Sequence, residues 1–215
     1  MLQYRRIVQE SAHRVADAAT RTVGDYVAHQ VEEETDFTSE MLGRMKESMQ
    51  DFHIRGVRWT AKTLTSHRRD AQETAFGADF IGVVSFDLPD YKVSKGFLAQ
   101  AKRIEPGDYI RPADWDRMVS QCHKMLSITP ESFVFLYSYS SITIAPAAAI
   151  VSAQRRCNPH EFYTRSITRF YEDHFECFVG DLQIQSADIS TLGRISARHS
   201  IHLGATNGQS RRVTC

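Results

Sequence analysis

Three residues in the middle of the chain have types and spacing suited to one kind of chemistry. Asp79 opens an apolar run, and Gln100 and Lys102 close the next one in a Gln-x-Lys triplet. Metal-assisted phosphodiester hydrolysis needs few protein parts. Oxygen ligands hold a hard cation, the cation polarises the phosphate and acidifies a water, and a positive side chain stabilises the added negative charge. Mg²⁺ keeps several of its own waters, so two or three protein ligands suffice. In a strand, residues two apart share a face, so Gln100 and Lys102 point the same way and Ala101 points the other. Asp79 completes the set if the two strands are neighbours.

The elements that must position these residues are read from hydrophobic spacing. The two runs predict strands over 80–88 and 95–103, joined by turn chemistry at Pro89-Asp90-Tyr91-Lys92. Strict alternation of Val57, Trp59, Ala61 and Thr63 with Arg58, Thr60 and Lys62 predicts an earlier strand over 56–64. Upstream, apolar residues at steps of three and four predict a packing helix over 3–31 and a second helix capped by Asp36 or Thr38. Downstream, a helix is expected over 112–126, strands over 132–137 and 141–145, a short helix or loop over 147–153, and a helix over 159–175 with a strand-like CFVGD after it. The segment from Leu192 contains a short helical pattern and a Gly/Asn/Ser-rich basic end that reads as flexible.

With 215 residues, 42% hydrophobic and 24% charged, the chain reads as one globular domain. No apolar run approaches the ~18 residues that span a bilayer. The N-terminus carries basic residues without the apolar stretch of a secretory signal. Four cysteines, widely spaced and without a CxxC pair, favour reduced thiols and a cytoplasmic location. Neither GxxxxGK[ST] nor GxGxxG occurs, so a phosphate-cradling nucleotide loop is not indicated.

The 26 basic and 26 acidic residues cancel, but their distribution does not. Residues 31–51 carry seven acids against two bases, 52–72 carry five bases against Asp70, and 193–215 carry four arginines and no acid. Basic segments of this kind suit phosphate contacts. Arg58, Lys62, Arg68, Arg69 and Lys95 are the candidate nucleic-acid contacts. Cys157-x-x-His160 and His174-x-x-Cys177 have a zinc-like composition. A continuous helix would hold His160 and His174 ~21 Å apart, too far to share an ion. The aromatics over 162–178 read as a packing face or subunit interface rather than a base-stacking platform.

The sequence GAD-F-x-G-V-V, followed about twenty residues later by QAKR, resembles the PD-(D/E)XK nuclease superfamily. Within it, the match is to the Mrr-like branch of restriction endonucleases, in which Gln-x-Lys replaces (D/E)-x-K. The resemblance covers roughly residues 33–137. It implies an α/β, restriction endonuclease-like αβββαβ core, a mixed sheet flanked by helices with an N-terminal helical extension. The expected organisation is a single domain over 1–192, with a packing helix at 1–31, the nuclease core at 33–137, C-terminal helix and strands at 138–192, and a basic, partly flexible tail at 193–215.

For function, the resemblance implies a Mg²⁺-dependent endonuclease on duplex DNA, with Mn²⁺ able to substitute. Asp79 is the implied metal ligand, Gln100 the second metal position, and Lys102 the group that positions water and stabilises charge. An acid on the helix before the sheet completes the catalytic set. Glu34 matches that place best, and Glu33 and Glu73 compete for it. Many relatives act in restriction or antiviral defence, as homo-oligomers or subunits of larger complexes. The family's proline is absent, Gly77-Ala78 standing before Asp79. Gln100 leaves the site one carboxylate short, so metal affinity rests on Asp79 and the helix acid. The alternative is a catalytically inactive nucleic-acid-binding or assembly subunit on the same fold.

Overall fold

A computed structural model describes residues 4–30, 33–65, 78–153, 156–195 and 197–208. Its centre is an eight-stranded mixed sheet with helices on both faces, an α/β architecture. The helices are α1 (Arg5–Val27), α2 (Glu34–Met49), α3 (Pro112–Leu126), α4 (Ala147–Ser152), α5 (Ile167–Phe175) and α6 (Ile189–Ile195). The strands are β1 (His53–Ile54), β2 (Val57–Thr65), β3 (Ala78–Leu88), β4 (Tyr91–Arg103), β5 (Ser132–Tyr137), β6 (Ile142–Pro146), β7 (Arg165–Ser166) and β8 (Ala197–Asn207). Their order across the sheet is β1-β2-β8-β3-β4-β5-β6-β7.

Strand alternation divides the core into two layers. Phe80, Phe97, Phe135 and Ile201 face one way, onto α1, α2 and α5. The apolar stripe of α1 (Val8, Ala12, Val15, Ala19) and the Met41, Met45 and Met49 row of α2 close that side. Ile81, Val83, Leu98, Val134 and Leu136 face the other way, against Trp115, Met118, Cys122 and Met125 of α3 and the small residues of α4. Gly82 sits opposite Phe97 in the β3–β4 ladder, where a β-carbon would lie 2.3 Å from the phenyl Cζ. The missing side chain is what lets the aromatic ring lie across the neighbouring strand.

The largest departure from the sequence expectation is at the C-terminal end. Residues 197–207 form β8, a strand buried in the middle of the sheet, in place of the expected short helix; residues 209–215 of the expected flexible end lie outside the described residues. β8 runs antiparallel to β2 and parallel to β3, and so separates the first two expected strands. The expected helix over 159–175 is also broken. Asn158 caps a 3₁₀ turn at Pro159–Glu161, β7 follows, and α5 begins only after Ser166, whose hydroxyl accepts from the Arg169 amide. The CFVGD segment is a loop that meets the sheet through a β-bridge, Gly96 to Asp181. No helix among the described residues is long and apolar enough to cross a membrane.

Candidate active site

The β3–β4 hairpin sets the position of the three chemical residues. Its register runs from Leu88 opposite Tyr91 to Phe80 opposite Ala99. The start of β3 therefore meets the end of β4, and Asp79 Oδ2 accepts the Ala101 backbone N–H at 2.8 Å. The same oxygen accepts a close hydrogen bond from Gln100 Nε2. Asp79 shares its sheet face with Ile81 and Val83, and Gln100 and Lys102 share theirs with Leu98, so all three project toward α3. β5 pairs parallel to β4 on the far side and holds the strand end in place.

α2 supplies a carboxylate from its first residue. Glu34 Oε1 accepts from Lys102 Nζ at 3.3 Å, and Glu34 Oε2 accepts the Arg103 N–H at 3.1 Å. The Lys102 side chain is 18% exposed and that of Glu34 35%, so this pair is only partly shielded from solvent. One turn along α2, Thr38 reaches the buried Tyr137 hydroxyl at 3.3 Å, anchoring the helix start to β5. Arg198 of β8 donates to Thr35 at 3.0 Å. These contacts dock the beginning of α2 beside the ends of β4 and β8.

The residues open into a cleft of about 400 Å³ between the sheet end and α3, with Arg117, Lys124 and Arg198 on its walls. A second hollow of about 420 Å³ adjoins it, shares Glu34, Lys102 and Arg117, and adds Arg103, Tyr109 and Arg111. Basic walls around paired carboxylates suit a polyanionic ligand. A larger hollow of about 890 Å³ lies elsewhere, between α1 and α2. Its lining mixes acids and bases, with Arg44 paired to Asp25 and Glu40 outside it, and carries no comparable set of chemical groups.

Burial pushes the Asp79 carboxyl above the usual carboxylate range, and the Glu34 charge adds to that push. Lys102, the Ala101 N–H and Arg198 oppose it. Burial takes the Cys122 thiol up to about 12 despite nearby Lys102, which makes it an inert core residue rather than a nucleophile. His199 on β8 is held down to about 4 by burial and by Arg198, so its ring is neutral.

The implied Mg²⁺ can be tested against the donors present. Gln100 is buried, and its Oε1 has no hydrogen-bond partner although its Nε2 is engaged with Asp79. An orphaned amide oxygen beside a carboxylate is an unused hard donor, the kind that Mg²⁺ takes. With Glu34 near the same cleft, the oxygen set fits this cation. The described residues contain no group of three or more His, Cys, Asp or Glu that could hold a metal, so the amide would have to serve as a ligand.

The expected nucleic-acid contacts fare differently. Lys95 is buried, and its Nζ donates to the Cys177 carbonyl at 2.6 Å, so it ties a loop to the sheet instead of reaching a phosphate. Arg58 pairs with Asp51 and lies opposite Thr206, at the other end of β2 from the Thr65–His199 pair beside the cleft. Lys62 is exposed on β2 opposite His202, between those ends. Arg68, Arg69 and Glu73 lie outside the described residues. The N-cap position of α2 is Glu33, not Asp36 or Thr38, and its side chain makes no capping hydrogen bond; Glu34 makes the contact with Lys102. In the zinc-like pairs, His160 bonds Thr143 and the Ile104 carbonyl, His174 bonds the Val179 carbonyl, and Cys177 meets the Tyr91 hydroxyl.

Arg117, Lys124, Arg198 and His199 were not singled out by spacing. The first two had a legible signal, since Arg117, Ser120, Gln121 and Lys124 recur at steps of three and four on the polar face of α3. Comparisons with protein-family models, curated proteins and solved structures found no match.

Proposed function

We propose that the chain is a metal-dependent endonuclease with a restriction endonuclease-like core, hydrolysing phosphodiester bonds of DNA. One observation carries the reading: Asp79, Gln100 and Lys102 project from neighbouring strand ends into one basic cleft, with Glu34 of α2 against Lys102. Asp79, the Gln100 amide oxygen and Glu34 are the groups that would hold Mg²⁺, or Mn²⁺ in its place. When bound, the cation supplies Lewis-acid polarisation of the phosphate and a more acidic water.

The remaining work falls to the protein's own residues. Lys102 donates to a non-bridging phosphate oxygen and stabilises the charge that develops there. Glu34 holds the Lys102 ammonium in position and accepts the Arg103 N–H, which fixes its own orientation. Arg117, Lys124 and Arg198 contact phosphates flanking the scissile one. The α3 side chains close one wall and limit the water in the site. A role in restriction or antiviral defence, as a homo-oligomer or as a subunit, rests on the sequence resemblance.

The test is incubation of the purified chain with duplex DNA, single-stranded DNA and RNA, in Mg²⁺ and in EDTA. Mg²⁺-dependent cleavage of DNA supports the reading, and its absence overturns it. A second reading is favoured by the neutral Gln100 in place of an acid: a catalytically inactive nucleic-acid-binding subunit on the same fold. It predicts DNA retention that falls steeply with salt and no cleavage in either buffer.

A further inference from the structure

We propose that His199 is a positioning residue that holds one ordered water against the Asp79 and Glu34 carboxylates, in a small void that shares Glu34, Thr35, Asp79 and Arg198 with the cleft. The inference rests on reading that cleft as the metal-dependent site. His199 lies on β8 between Thr65 of β2 and Phe80 of β3. Its side of the sheet is that of Phe80 and α2, whereas Gln100 and Lys102 project toward α3. The ring is 6% exposed, its Nδ1 lies 3.1 Å from Thr65 Oγ1, and its Nε2 is buried without a partner.

His199 borders a small void with about 10 Å³ of room for a water centre. Glu34, Thr35, Thr38, Asp79 and Arg198 make up the rest of its lining. A polar void of this size holds one water, and buried ring nitrogens in folded proteins are hydrogen-bonded. The void thus answers the one unmet need of His199.

The direction of the hydrogen bonds follows from the groups present. With Asp79 and Glu34 both ionised, as cation binding requires, each carboxylate only accepts. A water that bridges the ring to Asp79 and Glu34 gives its hydrogens to the carboxylates and accepts from the ring. His199 therefore carries its proton on Nε2, and the Thr65 hydroxyl donates to Nδ1. The relay runs Thr65, His199, water, carboxylate, and it fixes the orientation of the two acids that the cation needs. Supporting hydrogen bonds of this kind are worth about 10–100-fold in metal affinity.

The first measurement is metal-free: a high-resolution crystal structure of the wild type for the water, and imidazole ¹⁵N chemical shifts for the tautomer. A water at Nε2 with the Nε2–H tautomer supports the relay. A dry void, or the Nδ1–H tautomer, overturns it whatever becomes of the nuclease reading. The second measurement is Mn²⁺ titration of His199→Phe and His199→Gln beside the wild type. His199→Phe should lose about 10–100-fold in affinity with its melting transition intact, and His199→Gln, which restores an N–H donor, should recover most of that loss. Equal Mn²⁺ affinity in the wild type and His199→Phe overturns the proposal. A wild type that has the water and the tautomer yet binds no Mn²⁺ supports the relay and sinks the proposed function.

Discussion

The Gln100 side chain donates its amide hydrogen to Asp79 and leaves its own carbonyl oxygen buried without a partner. A glutamate at this position would set a second carboxylate directly against Asp79, whose carboxyl is already pushed up by burial. Gln100→Glu is therefore expected to cost about 1–3 kcal/mol of stability in EDTA. Mn²⁺ should reverse the loss, because a third carboxylate strengthens a hard-cation site. Thermal melts with and without Mn²⁺ check both halves, and a melting temperature that ignores the metal contradicts the assignment.

The cleft walls predict where nucleic acid is gripped. Arg117→Ala and Lys124→Ala should each weaken DNA retention and lower the slope of log affinity against log salt by about 1. Arg58→Ala, at the far end of β2 and paired with Asp51, should leave the slope unchanged. Filter binding across a salt series separates the two classes. An Arg58 effect equal to that of Arg117 would move the interface away from the cleft.

Acid should destabilise the fold through His174. Its ring is buried among Phe97, Phe170 and Tyr171, donates from Nδ1 to the Val179 carbonyl, and is held down to about 4 by burial. The folded value lies below the ordinary 6.5, so the unfolded chain binds the proton more readily. The contribution is fully present above pH 6.5 and is lost as pH falls toward 4, on the order of 3 kcal/mol across the window. His199, also held down to about 4, adds a loss of the same sign. Urea midpoints measured between pH 7 and pH 4 should show a shallower fall for His174→Phe than for the wild type, whatever their difference at pH 7.

The hairpin that sets the site depends on Gly82. A β-carbon there meets the Phe97 ring, so Gly82→Ala should destabilise by about 1–3 kcal/mol through overpacking. Adding Phe97→Leu should recover part of that cost, since the two residues are direct cross-strand neighbours. A double mutant that merely sums the two single losses would rule out this contact as the reason for the glycine.

The sequence made the hairpin legible because it is local. An apolar run, a Pro-Asp turn and a second run fix the register over a short stretch, and that register brings Asp79 to Gln100. The choice of Glu34 comes from the family resemblance, because helical spacing starts the second helix only after Asp36, whereas α2 begins at Glu34. β8 was not recognised, although Ala197, His199, Ile201, Leu203 and Ala205 alternate with Arg198, Ser200, His202, Gly204 and Thr206. The histidines and glycine blurred that alternation, and its partners lie more than a hundred residues upstream, so no nearby turn announced it. Lys95 misled for a related reason. A lysine within a strand reads as solvent-facing until the loop that covers it, here the Cys177 carbonyl, is known.

Nicking of supercoiled plasmid by the wild type and by Lys102→Ala, each with Mg²⁺ and with EDTA, tests the central claim most directly. The account predicts cleavage by the wild type in Mg²⁺ alone. It predicts a loss of at least about 100-fold in Lys102→Ala with DNA retention largely kept, because that ammonium acts mainly on charge developed during the reaction. Equal cleavage by Lys102→Ala, or none by the wild type, would contradict it.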